Sequence, residues 1–83
     1  MDIQQIRSLN VGDTVRMDTV VKNTFPKTTT ADDYIILEIS PKTWKDDRVW
    51  DKSRNGQEYC WVVIQEKHYR KPQTFTVDSF RLY

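Results

Sequence analysis

One histidine, one cysteine and two pairs of adjacent carboxylates are the residues of this 83-residue chain whose types could carry covalent or acid–base chemistry. His68 sits in the run Lys67-His68-Tyr69-Arg70-Lys71, where it reads as an exposed imidazole. Cys60 alternates with Val62 and Ile64, which places its thiol on an apolar face as a small buried hydrophobe. Asp32-Asp33 and Asp46-Asp47 stand in or beside loops, and neighbouring residues of an extended chain point to opposite faces. Such pairs start turns or keep edges solvated rather than share a proton. A single thiol and a single imidazole do not make a structural zinc site, and Gly12 and Gly56 are too isolated to cradle a phosphate. The chain therefore reads as a non-enzyme, with no metal and no cofactor.

What remains is recognition. Two strand-like runs flank Asn55-Gly56, the pair most typical of a two-residue β-hairpin turn. Counting outward from that turn, Arg54 faces Gln57, Lys52 faces Tyr59, Trp50 faces Trp61 and Arg48 faces Val63. One face of the hairpin would carry Val49, Cys60, Val62 and Ile64. The other would gather Trp50, Trp61 and Tyr59 with Lys52 and Arg48. Trp, Tyr and Arg dominate protein interface hot spots, so this face suits a protein partner. Rings beside cations also suit single-stranded nucleic acid, where bases stack and phosphates find positive charge. Plain packing is the third reading, with the face covered by the N-terminal helix or by a second copy in a homo-oligomer. A second candidate is the turn holding Tyr69, Arg70 and Lys71, either a loop-tip binding site whose cations flank the tryptophans or a solvated turn.

These side chains need elements to hold them. Ile3, Ile6 and Leu9 recur at spacing three behind Asp2, predicting one or two capped helical turns laid over the end of a sheet. Val15, Met17, Thr19 and Val21 alternate with more polar neighbours as a half-buried strand, and residues 23–32 read as a long loop around Pro26. A second strand runs from Tyr34 to Ile39, with Ile35, Leu37 and Ile39 inward and Tyr34, Ile36 and Glu38 outward. The two hairpin arms follow, the second reaching Gln65 or Glu66. A turn over 67–72 leads to a final strand opened by Phe75 and Val77.

Five short strands, a long first loop and a sharp central hairpin predict a mainly β, small antiparallel barrel with a short N-terminal helical turn. The layout resembles an SH3-like barrel, with residues 23–32 in the place of that fold's long first loop; an OB-like barrel is the alternative. Residues 1–83 form one domain, without repeats or a linker. Net charge is +1, from four bases against six acids in residues 1–41 and nine against six in residues 42–83. Proteins that depend on neutralising phosphate usually carry a larger excess, which places a protein partner ahead of nucleic acid. No run is long enough to span a bilayer, and no secretory signal is visible. The expectation is a cytoplasmic accessory or inhibitor module that works by occupying a surface.

Overall fold

The computed structural model describes residues 1–17, 31–46 and 56–83. Helix α1 spans Ile3–Arg7, and Asp2 caps it as its sequence pattern requires. The Asp2 carboxylate accepts from the Gln5 N–H at 2.8 Å, and the Gln5 side chain accepts from the Asp2 N–H at 2.9 Å. This reciprocal pair satisfies two of the donors that a helix start leaves unbonded. Ile6 is fully buried, with Ile3 and Leu9 packed partly against the same core.

Strands β1 (Thr14–Val15), β2 (Tyr34–Ile39), β5 (Trp61–Glu66) and β6 (Thr74–Asp78) form an antiparallel sheet in the order β1-β2-β5-β6. Strands β3 (Trp44–Lys45) and β4 (Glu58–Tyr59) form a separate two-stranded ribbon. After β6 a 3-10 turn over Ser79–Arg81 swings the chain back across the sheet. Leu82 then bridges Met17 next to β1, with Arg16 and Tyr83 exchanging backbone bonds at 2.8 and 2.9 Å. The described residues are thus mainly β, in four plus two strands, rather than one five-stranded closed barrel.

Val15 and Met17 are buried and alternate with exposed Thr14 and Arg16, the expected phase of the first strand. Its expected continuation through Thr19 and Val21, and the loop over 23–30, lie outside the described residues. On β5, Val62 and Ile64 point inward with Cys60, and they meet Val77 and Phe75 of β6.

Strand β2 corrects the expected phase. Tyr34 and Ile36 are fully buried, whereas Leu37 is 39% exposed. The register with β5 slips between Ile36 and Glu38, so a bulge at Leu37 changes the parity of the strand. Tyr34 is accommodated inside because its hydroxyl donates to the Ala31 carbonyl at 3.0 Å and its ring meets Phe75 edge-on. The run Tyr-Ile-Ile-Leu contains no polar residue to mark the outward side.

This reversed phase has a measurable consequence. Ile36→Ala is expected to lower unfolding free energy by about 2–5 kcal/mol, the usual range for emptying a core position. Leu37→Ala is expected to cost under about 1 kcal/mol, since its side chain keeps much of its contact with water. Urea titrations of the two variants check the ordering; equal losses would place Leu37 in the core.

Candidate functional site

The aromatic surface exists, but its membership differs from the expected one. Tyr59 pairs with Trp44 and Glu58 with Lys45. The next rung continues the ribbon, with Asp46 N–H donating to the Gln57 carbonyl and Gly56 N–H donating to the Asp46 carbonyl, both at 2.8 Å. Gln57 therefore faces Asp46 and Tyr59 faces Trp44, not Arg54 and Lys52. Trp61 lies opposite Asp78, and on its other side its carbonyl accepts from the Ser40 N–H at 2.9 Å. Val63 stands between Glu38 and Thr76. The expected cross-strand places of Trp50 and Arg48 are taken by these residues. Arg48, Trp50 and Lys52 themselves lie outside the described residues.

Energetics explain the register. Closing the ribbon at Asp46 and Gly56 leaves nine residues between the arms instead of two. Since each doubling of a loop costs only about 0.6 kcal/mol, the penalty is roughly 1–1.5 kcal/mol. Against that, the observed register brings Trp44 to Tyr59 with centroids 6.3 Å apart and to Trp61 at 6.4 Å. Tyr59 also meets Trp61 edge-on at 5.8 Å and Phe80 at 5.6 Å. Contacts of this kind contribute about 0.5–1.5 kcal/mol each beyond area burial, so the two that Trp44 makes, which alone depend on this register, match the cost of the longer loop. The local Asn-Gly signal lost to a ring cluster. Gly56 retains a positive φ of 83°, so the glycine still turns the chain there.

The resulting site is a cluster of four rings: Trp44, Tyr59, Trp61 and Phe80. The two tryptophans are 39% and 40% exposed, while Tyr59 and Phe80 are half-buried beneath them. Trp44 carries no signal of its own in the sequence because it falls in a polar stretch before the Asp46-Asp47 pair, and Phe80 carries none because it follows the last strand. An aromatic on the second residue of a turn after β6 carries no signal until the 3-10 turn brings it against Tyr59. Asp46, expected in a solvated connector, is 95% removed from water as part of the ribbon.

Charges around the rings are mixed. Rungs of the sheet place Asp78 beside Trp61 and Glu38 beside Val63 on the outward face. Arg81 Nε contacts Asp78 Oδ2 at 3.3 Å, while Asp78 Oδ1 is buried without a hydrogen bond. Arg7, at the C-terminal end of α1, donates to the Ser40 carbonyl on the rim. The expected cations Arg70 and Lys71 do not flank the cluster. They lie with Tyr69 in the β5–β6 turn, at the opposite end of β5 from Trp61. Five residue steps separate Trp61 from Glu66, which at ~3.3 Å per residue is about 17 Å.

That turn is firmly built. The Glu66 N–H donates to the Gln73 carbonyl at 3.0 Å, and its buried carboxylate accepts from the Gln73 N–H at 2.8 Å. Lys67 N–H donates to the Asp33 carbonyl at 3.1 Å and its ammonium to Thr14 Oγ1 at 3.0 Å. His68 takes a positive φ of 71° to close the loop. His68, Tyr69, Arg70 and Lys71 are all exposed.

Cys60 marks the switch between the two sheets, one residue after β4 and one before β5. It is fully buried, as its alternation with Val62 and Ile64 requires. Burial pushes its thiol above the ordinary range; Arg7 and a hydrogen bond with Ser79 oppose that shift and are outweighed. Among the described residues no group of three or more His, Cys, Asp or Glu side chains could hold a metal ion. No helix among them is long and apolar enough to cross a membrane. An open groove lies elsewhere, between α1 and the chain's end, lined by Met1, Gln5, Ser8, Leu9 and Tyr83.

Searches against family models, curated proteins and solved structures found no match to this chain.

Two outcomes follow from this geometry. A double-mutant cycle on Trp44→Ala and Tyr59→Ala should give a coupling energy of about 0.5–1.5 kcal/mol, read from denaturant midpoints. Additivity would break the observed register. Cys60 should resist an aromatic disulfide reagent in the native protein and react at the rate of a free thiol in denaturant; a fast native reaction would contradict its burial.

Proposed function

We propose that this chain is a non-catalytic binding module, built as a small SH3-like barrel, that recognises a protein partner through its aromatic cluster. The fold part of this reading draws on the return of the chain after the 3-10 turn, where the Met17–Leu82 bridge joins the last segment to the edge at β1. A long segment between β1 and β2, a β5–β6 hairpin and a 3-10 turn before that return belong to the same layout.

The observation that carries the functional part is the pair of tryptophans, each about two-fifths exposed, resting on Tyr59, which is itself packed on Phe80. Rings held by other rings present a large apolar surface with little side-chain entropy left to lose, which favours them as anchors at interfaces. The electrostatics favour protein over nucleic acid. A single-strand platform needs cations beside its stacking rings. Here Trp61 has Asp78 as its rung neighbour and Glu38 one rung away, and the guanidinium of Arg81 is already engaged by Asp78. Phosphates carried past these rings would meet carboxylates.

Immobilised wild-type chain is expected to recover a partner protein from its native cell that a Trp44→Ala/Trp61→Ala variant, folded by its far-UV spectrum, does not recover. Oligothymidylate at low salt should leave tryptophan emission unchanged. Quenching that weakens steeply with added salt would instead establish the nucleic-acid reading. Twice the monomer mass in light scattering, lost in the double variant, would make the cluster a seam between two copies.

A further inference from the structure

We propose that the partner presents an extended segment along the outer face of β5 and β6, with an apolar anchor at Trp61 and acidic residues over the 67–71 turn. This rests on the protein-binding reading above and adds to it the chemistry and spacing of the bound segment.

Three observations carry it. The first is a continuous track. From the rings toward the turn, the outward rungs are Trp61 with Asp78, Val63 with Thr76 and Gln65 with Thr74. Thr74 and Thr76 are exposed, and Val63 and Gln65 are half-buried, so the strip between the two candidate regions is accessible, and its own four side chains are uncharged, with Glu38 beside Val63. The second is the difference in charge between its ends. Asp78 stands at the ring end and Glu38 beside the next rung at Val63, while Lys67, Arg70 and Lys71 fall within five residues at the turn, beside exposed Tyr69. The carboxylates near that turn are partly spoken for. Asp33 is 3.5 Å from Arg16, and the carboxylate of Glu66 is buried against the Gln73 N–H. Asp32 is exposed and reduces the positive potential without cancelling it. The third is rigidity. The bonds from Lys67 to Asp33 and Thr14, and the two between Glu66 and Gln73, hold the turn at a set distance from Trp61.

Distance then sets the spacing. The track is about 17 Å long, so an extended peptide at ~3.3 Å per residue needs about five residues between its anchor and its acids. A peptide can confine its charges to one end, matching this asymmetry. A nucleic acid strand cannot, because its phosphates recur along its length and some would pass Glu38 and Asp78.

The test uses labelled synthetic peptides carrying a proline–aromatic anchor followed by an acidic triplet, with the spacer set to about two, five or eight neutral residues, and an acid-free control. Fluorescence anisotropy with the full chain should give the tightest binding at about five. Arg70→Glu/Lys71→Glu should weaken that peptide about tenfold, leave the acid-free control unchanged and abolish the salt dependence. Affinity independent of spacing, or equal loss for the acid-free peptide, would overturn the proposal while leaving the aromatic anchor intact. Binding of all peptides that survives Trp44→Ala/Trp61→Ala would overturn the protein-binding reading itself. Failure of every peptide to bind at millimolar concentration, or displacement of the five-spaced peptide by oligothymidylate, would overturn the proposal as well.

Discussion

Cys60 and Ser79 are bonded to each other twice, and most of the structure hangs on that pair. The Ser79 N–H donates to the Cys60 carbonyl at 2.9 Å, and the Cys60 N–H donates to Ser79 Oγ at 3.3 Å. Both residues are fully buried. At Cys60 the chain leaves the β3–β4 ribbon and enters the four-stranded sheet; at Ser79 it leaves β6 and enters the 3-10 turn. A strand that changes sheets exposes backbone groups at the corner, and burying them unpaired would cost on the order of 1–3 kcal/mol each. The serine hydroxyl supplies the acceptor that the interrupted ladder no longer provides. The Ser79 carbonyl in turn accepts from the amino group of Met1 at 2.8 Å, which draws the start of α1 to the same corner.

The ring cluster is a product of this corner. Tyr59 and Trp61 flank Cys60 and project to the outside because Cys60 projects inward. Phe80 follows Ser79 and is delivered beneath Tyr59 by the turn. Trp44 completes the cluster from the partner arm of the ribbon. Core, corner and candidate site are therefore mechanically continuous, and the exposed tryptophans rest on the same residues that close the core.

Residues with a clean period were legible in sequence. The Asp2 cap, the burial of Ile6, the phase of Val15 and Met17, and the inward set Cys60, Val62 and Ile64 all follow from spacing alone. The bounds of Tyr34–Ile39 were legible too, with Glu38 outward and Ile39 against the core, but the phase of its first four residues was not, because an unbroken apolar run carries no phase and a bulge at Leu37 shifts parity without any mark in the residue types. The pairing of Tyr59 failed for a different reason. Asn55-Gly56 is a strong local signal, but register is decided by all contacts across the ribbon, and Trp44 contributes rings at a distance in sequence that turn chemistry does not weigh. Tyr59 and Trp61 were found; Trp44 and Phe80 needed the folded chain. Tyr69, Arg70 and Lys71 were recognised as a basic tip, while their place relative to the rings depended on the length of β5.

The Met17–Leu82 bridge carries a consequence for how the molecule comes into being. Its two residues are 65 positions apart, and the 3-10 turn that aims Leu82 at β1 is itself anchored on Cys60. Closure of long loops has to precede the contacts that reward it, which makes folding slow compared with chains of local contacts. During synthesis, β1 therefore stays without its far-side neighbour until residues 79–83 have left the ribosomal tunnel.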